Sequence, residues 1–132
     1  MMQCRLALEA AGGDVGRAVE LLRQKGIEVA EKKSSRALSA GVVSSYVHND
    51  GKIGAIIALV CETDFVAANG EFKILAHELA MQVAATGPAD LDELLQQSFI
   101  KDQSKTVKDV LVAAVQKFGE RTQIKQFARF SL

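Results

Sequence analysis

The stretch Val60-Cys61-Glu62-Thr63-Asp64-Phe65-Val66 ends an apolar run that starts at Ile53. It sets a hydroxyl, an acid and an aromatic ring side by side where a solvated loop would normally begin. Thr63 is suited to cap a helix, because its hydroxyl can accept from the unpaired amides of the following turn, and Asp64 suits the positive end of that turn. Phe65 is then either tucked back on the body or left projecting. Taken alone, the stretch is accounted for by a capped helix start with a core phenylalanine, since buried aromatics far outnumber functional ones.

Other chemically capable residues are sparse. Cys4 and Cys61 are the only cysteines, lack Cys-x-x-Cys spacing and have too few histidines near them for a zinc set, so a buried free thiol at each site is expected ahead of a disulfide. His48 lies beside a turn and His77 in a helical stretch, each read as a surface or interface side chain. There is no histidine beside a nucleophile, no Walker-type glycine loop, and no pair of acids on adjacent turns facing one cleft. The chain is expected to act by binding and not as an enzyme, with no cofactor and no metal ligands.

The elements that must position the Thr63 stretch follow from periodicity. Gly41 opens a strand, Val42 to Val47, and Asn49-Asp50-Gly51 turns it into a second strand, Ile53 to Val60. The second strand carries Ile57 and Leu59 on one face and Ile56 and Val60 on the other, which predicts a central strand covered on both faces. After Asn69-Gly70 a helix carries Phe72, Leu75, Ala76, Leu79 and Val83 on one stripe until Gly87-Pro88 ends it. Ala89 to Ser98 make a short connection with one helical turn around Leu91 to Leu95. Thr106 to Asp109 form a capping box, and Val107, Val110, Leu111, Ala114, Val115 and Phe118 keep helical period until Gly119. Gln123 to Phe130 is rich in β-formers and is placed beside the hairpin as a third strand, an edge whose Lys125 and Arg129 oppose self-pairing. Upstream, residues 2 to 11 read as a short helix before Gly12-Gly13, and Asp14 caps a second one that is expected to end at Gly26. The charged run Glu31-Lys32-Lys33-Ser34-Ser35-Arg36 reads as a solvated linker or helix.

A length of 132 residues with 48% hydrophobic content suits one compact domain with a small appendage. Sixteen basic and sixteen acidic residues cancel, so the strong positive field of nucleic-acid or acidic-membrane binders is missing. No stretch has the length and apolarity of a membrane span, and the N-terminus lacks a signal peptide's pattern, so cytoplasmic residence is expected.

Thr63-Asp64-Phe65-Val66, after a strand and Cys61-Glu62, resembles the signature loop of the elongation factor Ts family, nucleotide exchange factors of the translational GTPase elongation factor Tu. Four further stretches resemble the same family in its order: Met1-Met2-Gln3-Cys4 with Ala7-Leu8, Gly13-Asp14 with Ala18, Lys32-Lys33, and Phe99-Ile100-Lys101-Asp102 running into Ser104-Lys105-Thr106-Val107-Lys108-Asp109. The resemblance implies an α+β fold: an N-terminal helical module resembling ubiquitin-associated domains, then a small antiparallel three-stranded sheet packed with helices. The module would occupy residues 1–27 and be incomplete, since the family's first helix would lie upstream of Met1. A linker would follow at 28–40 and a core of dimerisation type at 41–132. Many relatives carry a long insertion where this chain has Ala89 to Ser98.

The implied function is release of GDP from elongation factor Tu. Phe65 would insert between helices of the GTPase, Asp64 would disturb the region that holds Mg²⁺ and the phosphates, Thr63 and Val66 would complete the loop, and Arg5, Lys32 and Lys33 would help to meet the GTPase. No direct contact with nucleic acid or membrane is implied. Full-length relatives have two core subdomains and a coiled-coil arm; short relatives resemble this chain, which implies a homodimer that the Gln123 to Phe130 strand could mediate. The competing expectation is an adaptor or stabiliser that binds the GTPase, or another protein, through its helical module without driving nucleotide out.

Overall fold

The computed structural model describes residues 21–28 and 37–132. Strands β1 (Ala40–Val47) and β2 (Ile53–Cys61) form an antiparallel hairpin in which Val47 pairs with Gly54 and Ala40 with Cys61. The turn between them closes through His48 N donating to Ile53 O at 2.8 Å, and Gly51 takes the positive φ of 68° that the turn needs. Helix α1 (Asp64–Ala67) is a single turn. Helix α2 (Gly70–Thr86) starts at an Asn69 cap, and a short helix α3 (Leu91–Gln96) begins at an Asp90 cap. A two-stranded hairpin, β3 (Ser98–Phe99) and β4 (Asp102–Thr106), leads into α4 (Val107–Phe118). Strand β5 (Gln123–Ser131) then returns antiparallel to the far side of β2, with a register shift between Ala58 and Leu59, so the sheet order is β1-β2-β5.

The fold is α+β, as expected, with β2 in the centre and β5 at an edge. One expectation fails: β2 is not covered on both faces. Ala55, Ile57, Leu59 and Cys61 point into the core beneath Phe72, Ala76, Leu79 and Val83 of α2. On the other face Ile56 is 43% exposed, beside Val43 at 69% and Phe130 at 72%. Apolar residues on both sides of a strand therefore mark a sheet that leaves one greasy face to solvent here, among the described residues.

The last strand is delivered by α4. Its capping box is complete, with Asp109 N donating to Thr106 Oγ1 and Thr106 N donating to Asp109 Oδ2, both at 3.1 Å. Its stop is Gly119 at φ 72°, a left-handed cap whose amide donates to Val115 O at 2.9 Å.

Two features depart from the periodicity reading. The β3–β4 hairpin is one, and buried Gln82 organises it. Gln82 Nε2 donates to Ser98 O at 3.0 Å and to Gln97 Oε1 at 3.1 Å, while its Oε1 accepts from Ile100 N at 2.8 Å. A fully buried amide with both ends satisfied replaces the sheet neighbours this small hairpin lacks. The other is Gly26, which does not end its helix: residues 21–28 are helical throughout. A Cβ at Gly26 would lie 2.9 Å from Gln116 Oε1, the movable end of a flexible side chain, and 3.4 Å from Val112 Cγ1, so this glycine sits against α4. The expected helix at 2 to 11, the start of the second helix and the charged run around Lys32 and Lys33 lie outside the described residues, as do Cys4 and Arg5.

Candidate functional site

The turn after β2 sorts its side chains sharply. Val66 and Ala67 are buried, Asp64 is exposed, and Phe65 is 89% exposed. An aromatic ring left almost wholly in water forgoes about 1.5–3 kcal/mol of burial energy, and a ring so exposed next to two buried neighbours implies that the turn is held from below.

The anchorage is centred on Thr63, every polar atom of which has a partner. As N-cap, its Oγ1 accepts from Val66 N at 3.4 Å, and its carbonyl accepts from Ala67 N at 3.2 Å and from the Cys61 thiol at 3.3 Å. The Thr63 amide donates to Glu120 Oε1 at 3.0 Å, and its hydroxyl donates to Glu120 Oε2 at 2.7 Å. Because the hydroxyl proton goes to Glu120, the oxygen's lone pairs stay available for the capping amide. Glu62 returns the arrangement: its carboxylate accepts from the Arg121 amide, and its carbonyl accepts from Ser39 Oγ at 2.8 Å. The end of β2 and the α4–β5 junction are thus strapped together by two carboxylates, one from each segment, each binding the other's backbone.

Below the turn, Cys61 is fully buried. Burial pushes its thiol above the ordinary value, and the nearby carboxylates of Glu120 and then Asp64 push the same way, against hydrogen bonding with the Thr63 and Ala67 backbone. As expected, Cys61 is a free, buried thiol. Among the described residues, no group of three His, Cys, Asp or Glu side chains could hold a metal ion, and no helix is long and apolar enough to cross a membrane.

Of the residues singled out from sequence, Thr63, Asp64, Phe65 and Val66 therefore form one turn in which Thr63 and Val66 anchor and Asp64 and Phe65 face outward. Arg5, Lys32 and Lys33 lie outside the described residues. The periodicity reading missed Glu62 and Glu120. Glu120 follows the helix stop at Gly119, but nothing local ties it to Thr63, which is 57 positions away.

Comparison with known proteins places this turn in a family. The elongation factor Ts family model matches residues 62–132, beginning at the strap residue Glu62. Elongation factor Ts of Clostridium kluyveri is 42% identical over 132 residues, which take in all of this chain and 43% of that protein. The Clostridium acetobutylicum protein of the same name is 44% identical over 131 residues, 99% of this chain and 42% of its own length. Elongation factor Ts of Thermodesulfovibrio yellowstonii is 36% identical over 176 residues, which cover the whole of this chain and 88% of that protein. The chain spans less than half the length of the two Clostridium relatives. With a family match over more than half of its residues and similarity that runs along nearly the whole of one relative, the chain belongs to the elongation factor Ts family.

Proposed function

We propose that the chain is a guanine nucleotide exchange factor that binds elongation factor Tu carrying GDP and promotes GDP release in translation elongation, in the cytoplasm and without covalent chemistry of its own. The observation that carries this reading is Phe65, 89% exposed at the tip of a turn whose every anchoring atom is occupied. A ring held out in water is suited to enter a partner. Asp64 beside it would bring negative charge toward the phosphates and the Mg²⁺ that neutralises them in the GTPase, which weakens nucleotide binding.

Exchange factor and nucleotide must weaken each other equally. A thousandfold weakening needs about 4 kcal/mol at roughly 1.4 per tenfold, while burying one phenylalanine yields about 1.5–3. Phe65 therefore supplies part, and a docking surface must supply the rest. In this reading that surface includes Thr63 and Val66 as the loop's frame and Arg5, Lys32 and Lys33 as basic contacts. In the same reading residues 1–27 belong to the ubiquitin-associated-like module, 28–40 to a linker and 41–132 to the core. The open face of the sheet, with Val43, Ile56 and Phe130, supports a homodimer as a second feature of the reading.

The test is release of a fluorescent GDP analogue from elongation factor Tu with this protein or its Phe65→Ala variant. Acceleration that the variant loses, with binding partly retained, is the expected result. Binding without acceleration would overturn the exchange reading and leave an adaptor that uses its helical module.

A further inference from the structure

Phe65 lies outward although burying it would be favourable, so its orientation has a cause elsewhere in the chain. The bonds that Thr63 makes to Val66, Ala67 and Cys61 come from its own segment and would accompany the turn if it tilted as a unit. The bonds to Glu120 are different. They arise 57 positions away, at the junction of α4 and β5, and they grip two atoms of one residue at 3.0 and 2.7 Å, so they fix direction as well as distance. Glu120 is delivered there by the left-handed cap at Gly119, and the adjoining Arg121 amide is held in turn by Glu62.

We propose that Glu120 is a positioning residue for the signature turn: its carboxylate binds the Thr63 amide and hydroxyl and thereby holds Phe65 outward, ready for the partner. This rests on the exchange reading above. Thr63 is exposed, so water can take over both donors when the carboxylate is removed. Water satisfies them without holding a direction. Loss of Glu120 therefore costs orientation far more than folding.

The chain contains no tryptophan, so Phe65→Trp gives a single tryptophan at the tip of the turn, which can be excited selectively over Tyr46. In the Phe65→Trp protein, a solvent-exposed emission maximum with restricted local motion in the anisotropy decay is expected. Adding Glu120→Ala should shift the emission to the blue or free the local motion, while the midpoint of thermal unfolding stays nearly unchanged. Identical emission and anisotropy with and without Glu120 would overturn the proposal, whatever the protein does to nucleotide.

In GDP release from elongation factor Tu, Glu120→Ala should lower the maximal acceleration by about tenfold, the scale of losing charge-assisted hydrogen bonds, and should add nothing in the Phe65→Ala background. Thr63→Ser should behave like the wild type, and Thr63→Val should reproduce part of the Glu120→Ala loss. Additive effects of Glu120→Ala and Phe65→Ala would show that Glu120 acts independently of Phe65 and would sink the positioning role. If Phe65→Ala alone leaves release unchanged, it is the exchange reading that fails, and the fluorescence arm still decides the role of Glu120.

Discussion

Cys61 and Phe65, four positions apart, meet opposite environments: the thiol is fully buried and the ring is 89% exposed. The thiol's raised proton affinity has a consequence for stability whose sign is definite. A group that holds its proton more tightly in the folded state contributes stability that is complete below the unfolded thiol's value, 9.0, and is lost as pH rises through the higher folded value. The wild type should therefore lose more stability than Cys61→Ala between pH 8 and pH 10. Urea melts of both proteins at the two pH values would reveal it, and parallel losses would show that the thiol is not differentially protonated. At this scale the sequence spoke clearly only where the chemistry was local. The Thr63 cap follows from a hydroxyl and the three residues after it. The outward ring does not, because apolar periodicity cannot choose between core and projection for one aromatic, and the carboxylate that grips its turn belongs to another part of the chain.

The same division separates the elements. Helix α4 was readable from end to end, because its capping box, apolar stripe and glycine stop all lie within the segment itself. The β3–β4 hairpin was not, since its support comes from Gln82, 15 to 18 positions away, and a single glutamine in an apolar helix carries no signal of what it will hold. Two substitutions rank these supports. Thr106→Ala removes one half of the capping box and should cost about 1 kcal/mol. Gln82→Leu takes their partner from the Ile100 amide and the Ser98 carbonyl in a part-buried site, where water can reach them in part, so the two losses together should cost about 1–3 kcal/mol. Gln82→Leu should be the more damaging in urea unfolding, and the reverse order would mean that the hairpin does not depend on the amide. Gly119→Ala is a third case. A Cβ there would meet nothing within 4 Å, yet φ is 72°, so the expected cost of about 1 kcal/mol is conformational alone. Because the same glycine sets the direction of Glu120, under the proposed exchange role this variant should also reduce nucleotide release by more than its stability loss accounts for.

For the molecule as a whole, the sheet has a packed face and an open one, and the open face bears on assembly. Three strands of eight or nine residues present roughly 27 by 14 Å, about 400 Å² in projection. A standard stable interface uses about 800 Å² per partner. Pairing through this face alone is therefore expected to be weak, and the proposed homodimer should dissociate as the protein is diluted through the micromolar range. Phe130, 72% exposed on the edge strand β5, and Val43, 69% exposed on β1, lie on opposite sides of the strip. Replacing Phe130 with Glu places a charge where a second apolar face would have to desolvate it, so Phe130→Glu should hold the chain monomeric at every concentration. Phe65 projects from the turn after β2 and takes no part in this face, so Phe65→Ala should leave the association unchanged. Sedimentation equilibrium on the three proteins separates the two surfaces. A wild type that stays monomeric across the range would remove the dimer, and loss of association in Phe65→Ala would show that the signature turn, rather than the sheet, joins the chains.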